Sequence, residues 1–216
     1  MPDLSDFHLG ADVVASDGTK VGTVVSVIVD EKSFSPRSLV VKDEATLARR
    51  LLSDEKLFTT DEVVIPITVV ESAAHGEVRL SMSSPEVRSQ PRYLSYRREP
   101  ITTEDAVVGE GELLGGGLAL PKAEEIANKP EGQIEIDRGE NVMLGTTGRR
   151  LGRVEDVLFD HGELKGIVMR PEGLFKRDVV LPVGFIERAD DMALFAKLNE
   201  TDIEQLKPFV ESEANS

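Results

Sequence analysis

GADVVASDGTKVGTVVSVIVD (residues 10–30) returns, altered, as GENVMLGTTGRRLGRVEDVLFD (139–160). Each stretch opens on a glycine, carries an apolar pair and turns on a Gly-containing loop. Each then runs into (Val/Leu)-Gly-x-Val-x-x-Val-(Ile/Leu)-(Val/Phe)-Asp. One residue inserted in the second turn brings Gly22 onto Gly152 and Asp30 onto Asp160, an offset of 130. Self-similarity at a fixed spacing is the mark of a repeated structural module.

The likeness continues downstream. SLVVK (38–42) parallels GIVMR (166–170), VVIP (63–66) parallels VVLP (179–182), and GEVRLSM (76–82) parallels MALFAKL (192–198). Pro66 meets Pro182 at an offset of 116. The fall from 130 to 116 leaves the first copy 14 residues longer, near 43–58 (DEATLARRLLSDEKLF).

The repeated segments are short, rich in β-branched residues and bounded by Gly, Asp or Pro, which reads as strands. Ser16-Asp17-Gly18 and Thr146-Thr147-Gly148 read as hairpin turns, because glycine accepts the positive φ such turns need. Pro66 and Pro182 close a strand, where a missing N–H costs least. Short strands in this arrangement favour a small barrel, which leaves no open edge. A short helix is predicted at the end of each copy. Thr201-Asp202-Ile203-Glu204 fits a capping box, with Ile203 and Leu206 an apolar pair one turn apart. Ser84 is placed to cap the other, with Pro85 first in the helix. The longer stretch of the first copy reads as a further helix over 43–52, with Ala45, Leu47, Ala48, Leu51 and Leu52 apolar.

The expected fold class is therefore mainly β: two small six-stranded β-barrels in tandem, each with a short C-terminal helix. The first domain is placed at 1–96 and the second at 133–216, with a linker over 97–132. That linker holds six Gly and three Pro and shows no strand rhythm. Its apolar residues Val107, Val108, Leu113, Leu114, Leu118 and Leu120 predict that part of it packs. A linker this long also allows one copy to swap onto a neighbouring chain as a homodimer.

Composition narrows the function. Aromatics are 5% and Trp is absent, so the core must be Val, Leu and Ile. With no cysteine there is no disulfide framework, thiolate metal site or Cys nucleophile, which fits a reducing compartment. Met1–Gly10 contains Asp3, Asp6 and His8 and lacks the apolar region of a signal peptide. No apolar run reaches the ~18 residues of a membrane helix. The expectation is a cytoplasmic protein that meets a membrane only through a partner. A net charge of −15 argues against direct nucleic-acid binding; it reads first as a source of solubility and second as an acidic surface that prefers basic partners.

The pattern Gly-x-x-Val…Asp-Gly…Gly-x-Val, followed by Val-(Val/Leu)-Pro, resembles the PRC-barrel family. Gly10, Asp17, Gly18, Gly22, Val24 and Pro66 carry it in the first copy. Gly139, Gly148, Gly152, Val154, Asp156 and Pro182 carry it in the second, where GLFKRDVVLP (173–182) leads into the proline. The resemblance implies a six-stranded barrel like the cytoplasmic domain of the photosynthetic reaction-centre H subunit and the C-terminal domain of the ribosome-maturation factor RimM. It also implies a module that binds and positions other macromolecules.

The sequence holds no set of residues spaced for catalysis. His8, His75 and His161 lack HxH, HExxH or Hx3H spacing, so no zinc site is expected. GEGELLGGG (109–117) lacks the Lys-Ser/Thr of a phosphate loop and reads as linker. Asp30 and Asp160, at equivalent strand ends, read as turn residues. We expect no enzyme, no cofactor and no metal. One segment opposes the overall charge: RSQPRYLSYRR (88–98) concentrates Arg88, Arg92, Tyr93, Tyr96, Arg97 and Arg98, residue types that dominate binding hot spots. These six are the candidate partner-binding residues. The expected function is a non-enzymatic adaptor for a protein partner. The alternative is a ribosome or RNA-processing assembly factor resembling RimM.

Overall fold

In the computed structural model the described residues are 4, 6–43, 62–74, 76–98, 123–127, 130–173, 177–189 and 193–210. The segments read as a helix over 43–52 and as a glycine-rich linker over 109–117, and the linker's apolar residues, lie outside them but for Asp43. So does His75.

The protein is mainly β. The first copy runs β1 (Asp12–Val14), β2 (Lys20–Asp30), β3 (Pro36–Lys42), β4 (Glu62–Pro66), β5 (Val70–Ala74) and β6 (Glu77–Leu80). Its sheet order is β4-β3-β2-β1-β6-β5. After β7 (Leu94–Arg98), β8 (Ala123–Ala127) and β9 (Gln133–Asp137), the second copy begins. It runs β10 (Asn141–Leu144), β11 (Arg150–Asp160), β12 (Glu163–Pro171), β13 (Val179–Pro182), β14 (Ile186–Ala189) and β15 (Ala193–Ala196). Its order, β13-β12-β11-β10-β15-β14, is the same. In both copies the first and last strands pair in parallel (β1 with β6, β10 with β15) while the other neighbours are antiparallel. Among the described residues no pairing joins β4 to β5, or β13 to β14, to close either sheet.

The repeat glycines are explained by close approach. A Cβ on Gly22 would lie 2.1 Å from the Lys42 carbonyl oxygen, and one on Gly152 would lie 2.2 Å from that of Arg170. Any side chain there would push two strands apart. Gly18 (φ 77°) and Gly148 (φ 67°) sit in the two hairpin turns in the left-handed region that glycine tolerates best.

Two short helices follow the sheets: α1 (Ser84–Arg88) and α2 (Glu200–Glu204). Both caps differ by one or two residues from the sequence reading. Ser83, not Ser84, precedes α1, its N–H donating to Glu86 at 2.7 Å. Asn199 and Asp202, not Thr201 and Glu204, form the reciprocal cap of α2, each backbone N–H donating to the other's side chain at 2.9 Å. Asn serves as a cap as well as Thr does, and its register satisfies the first free N–H groups.

The reading of 97–132 as free of strands is corrected. β7 and β8 pair antiparallel, from Leu94 opposite Ala127 to Arg98 opposite Ala123. AEEIA offers only two Ala and one Ile around its carboxylates, too little alternation to signal a strand.

The two copies share one core. A single apolar cluster contains Val13, Val27, Leu39 and Ile65 of the first copy and Val142, Val157, Ile167 and Leu181 of the second. What joins them is an exchange of lead-in segments. β9, which leads into the second copy, pairs along β2 of the first, with Asp137 opposite Ser26 and Gln133 opposite Asp30. The matching segment before β1 lies on β11 of the second copy. There Leu9 N–H donates to Asp156 at 2.8 Å, and Phe7 meets Phe159 edge-to-face at 5.4 Å. Asp156 occupies the repeat position of Ser26, so the two contacts mirror one another.

Candidate interaction surface

The six candidate residues are spread over α1, the segment that follows it and β7. Arg88 ends α1 and is half-buried. Arg92 is exposed and bridges to Val63, at the edge of β4. Tyr96, Arg97 and Arg98 lie on β7, in register with Glu125, Glu124 and Ala123 of β8. Among the described residues no carboxylate forms an ion pair with Arg88 or Arg92.

Tyr93 belongs to the interior. It is 7% exposed and packs on Ile28 and Val40, the outward-facing residues of β2 and β3. Its hydroxyl donates to Glu135 on β9, and Ser26, itself fully buried, donates its Oγ to the same carboxylate. One carboxylate from the lead-in of the second copy thus collects two hydroxyls of the first. Burying hydroxyls is tolerable only when they are bonded in this way. The signal in the sequence was ambiguous: Tyr in an Arg-rich segment suggests recognition, and only the pairing of β9 with β2 shows why it is inside.

The mirrored junction uses a different pair. His8 Nδ1 lies 2.8 Å from Asp156, whose other oxygen takes the Leu9 N–H. His161 stands in the turn between β11 and β12 with its side chain 94% exposed, as expected of a turn histidine.

Asp30 closes the turn after β2. Its carboxylate accepts from Lys32 N (3.1 Å), Ser33 N (2.9 Å), Ser33 Oγ (3.0 Å) and Arg37 (3.1 Å). These donors, the Ser33 N–H first and Arg37 next, hold it well below the usual carboxylate range. Asp17 is lowered likewise, chiefly by the Ser84 N–H and then by Thr19. Both are turn anchors. Among the described residues no group of three or more His, Asp or Glu gathers to hold a metal, and no helix is long and apolar enough to cross a membrane.

This geometry defines a class: a duplicated, mainly β body whose halves are fastened by exchanged segments. Residues 9–80 and 138–200 each match the family model of the PRC-barrel domain, and the chain belongs to that family. The two matches fall on the two sheets, while β7, β8 and β9 lie in the interval between them. No curated protein matches the chain.

Proposed function

We propose that this protein is a non-enzymatic adaptor: a rigid double module that holds a protein partner at an arginine-bearing edge. The observation that carries the reading is the placement of Arg88 and Arg92 beside β4, on a chain with a net charge of −15, with no carboxylate partner among the described residues. An arginine without an internal acceptor contributes little to the fold at the surface, where even a formed ion pair is worth only about 0–1 kcal/mol. It retains its full bidentate capacity for an acidic group on a partner. The continuous core supports the adaptor reading too, since a preorganised surface binds with less loss of conformational freedom. The exchange of lead-ins within one chain favours a monomer over the swapped homodimer.

Affinity capture from the native host tests the proposal, comparing the protein with its R88E/R92E/R97E/R98E variant. The expected result is a reproducible protein partner captured by the first and lost by the second. Equal capture by both would remove the arginines from the interface and sink this reading. Nothing in the geometry separately favours the ribosome-assembly alternative.

A further inference from the structure

SSPEVRSQPR (83–92) sets two arginines around a reversal of the chain. Ser83 caps α1, Pro85 stands in its first turn, and Ser89 ends it. Pro91 then runs along β4, its carbonyl accepting the Val64 N–H at 2.9 Å. Arg88 closes the helix and is half-buried, while Arg92 lies in the extended segment and is exposed. The two are four positions apart, so their Cα atoms are separated by at most about 14 Å.

The carboxylates that fasten α1 are committed elsewhere. Asp17 accepts the Ser84 N–H and the Thr19 N–H, each at 3.0 Å. Glu86 accepts from Ser83, both Oγ and N–H, at 2.7 Å. The Ser84 N–H holds Asp17, and the Ser83 hydroxyl holds Glu86, below the usual carboxylate range, so both stay ionised and keep these donors. Among the described residues neither arginine side chain meets an acceptor. The helix dipole does not account for Arg88 either: it favours a cation in the last turn, but α1 has only five residues.

We propose that Arg88 and Arg92 dock a short acidic segment of the protein partner, one carboxylate on each guanidinium. The proposal rests on the adaptor reading, which places a partner at this edge, and names what the partner presents there. Charge complementarity selects the occupant: a basic segment would be repelled, and a neutral one would leave both guanidiniums unanswered. A strand rises about 3.4 Å per residue, so about five extended residues span the pair. A nucleic-acid strand fits less well, because it needs stacking faces beside the cations. Tyr93, next to Arg92, is 7% exposed and packed on Ile28 and Val40. The net charge of −15 also repels a chain that is anionic at every nucleotide. A short peptide carries fewer charges, and a Debye length of about 8 Å at physiological ionic strength confines the repulsion from the rest of the surface.

An NMR titration of the isotope-labelled full chain tests it, following the amides of 84–93. The probes are three dodecapeptides that alternate serine with Glu, Gln or Lys, and an oligouridylate of similar length. The Glu peptide is expected to shift these amides saturably and to bind at least about threefold more tightly than the Gln peptide. The Lys peptide should be the weakest at these amides. R88Q/R92Q should remove the preference for Glu or reverse it, because the net charge then acts alone. If the double change disturbs α1, R92Q at its exposed position should lower the preference by about half on the logarithmic scale. No saturable shift with the Glu peptide, equal binding of the Glu and Gln peptides, or an undiminished preference in the variants would overturn the proposal. So would tighter binding of the oligouridylate at these amides, which would give the arginines to a phosphate backbone. Purified peptides report only on the chemistry of the site. A captured partner lost in R88E/R92E/R97E/R98E, beside a Glu peptide with no preference, would therefore defeat this inference and leave the adaptor reading standing.

Discussion

The first copy is sealed more fully than the second, although their strand orders are the same. Along β4 the segment 91–93 runs as a cover, with Val64 N–H donating to Pro91 and Tyr93 N–H to Glu62. Along β13 the segment 207–209 does the same, with Val180 N–H donating to Lys207 and Phe209 N–H to Asp178. Yet Tyr93 is buried against Ile28 and Val40, whereas Phe209 is half-buried and Val210 beyond it is 80% exposed. The difference follows from what arrives next: β9 brings Glu135 to the Tyr93 hydroxyl, while Asp6, at the matching position of the other lead-in, is exposed. A duplicated module thus keeps the residues its backbone demands and diverges where equivalent covering segments bring different side chains.

The comparison breaks most sharply at the glycines. Gly22→Ala and Gly152→Ala should each cost about 3 kcal/mol or more, because the obstacle is the neighbouring strand's backbone and cannot swing away. Urea unfolding followed by two probes should show one transition for either variant, since the core is continuous. Two separated transitions would mean that the halves unfold independently.

A smaller effect distinguishes the two junctions. Glu135→Ala removes the shared acceptor of Ser26 and Tyr93 and should destabilise by about 1–3 kcal/mol. Asp156→Ala should cost less, because His8, with 43% of its side chain exposed, can turn to water. A reversed order in denaturant midpoints would show the mirrored junction to be the stronger fastening.

The smallest expected effect is at the turn where Asp17 accepts the Ser84 N–H. The Asp17 carboxyl is lowered in the folded protein, chiefly by the Ser84 N–H. Its contribution is therefore complete above the ordinary carboxylate range and is lost progressively as pH falls from that range toward the lowered value of the folded protein. Asp17→Thr, which gives the first copy the residue of the second, should reduce stability at pH 7 and flatten the loss of stability between about pH 5 and pH 2. An unchanged acid limb would show that the turn holds α1 without this carboxylate.

Much of the fold was legible because the repeat is written in backbone requirements. Gly22 and Gly152, the turn glycines and Pro66 and Pro182 stand where strands crowd, reverse or end, so pattern reading found both copies and their strands. The junction is not legible, since nothing local in QIEID marks it to join the far copy, and Tyr93 reads as a candidate partner-binding residue for that reason. Arg88 and Arg92 could be named but not placed.

The exchanged lead-ins have a consequence for how such a chain can be taken apart. A nick anywhere between Arg98 and Ala123 would release no free domain, because each product would still hold the other's missing segment. Removing 123–216 instead would strip β9 from β2 and present Val27, Ile28 and Val29 as an uncovered edge, open to pairing with other chains. Once the two copies were fused and their ends crossed, neither half retained a complete surface of its own. In evolutionary terms the duplication acts as a ratchet, and reverting to a single copy would first require undoing the crossing.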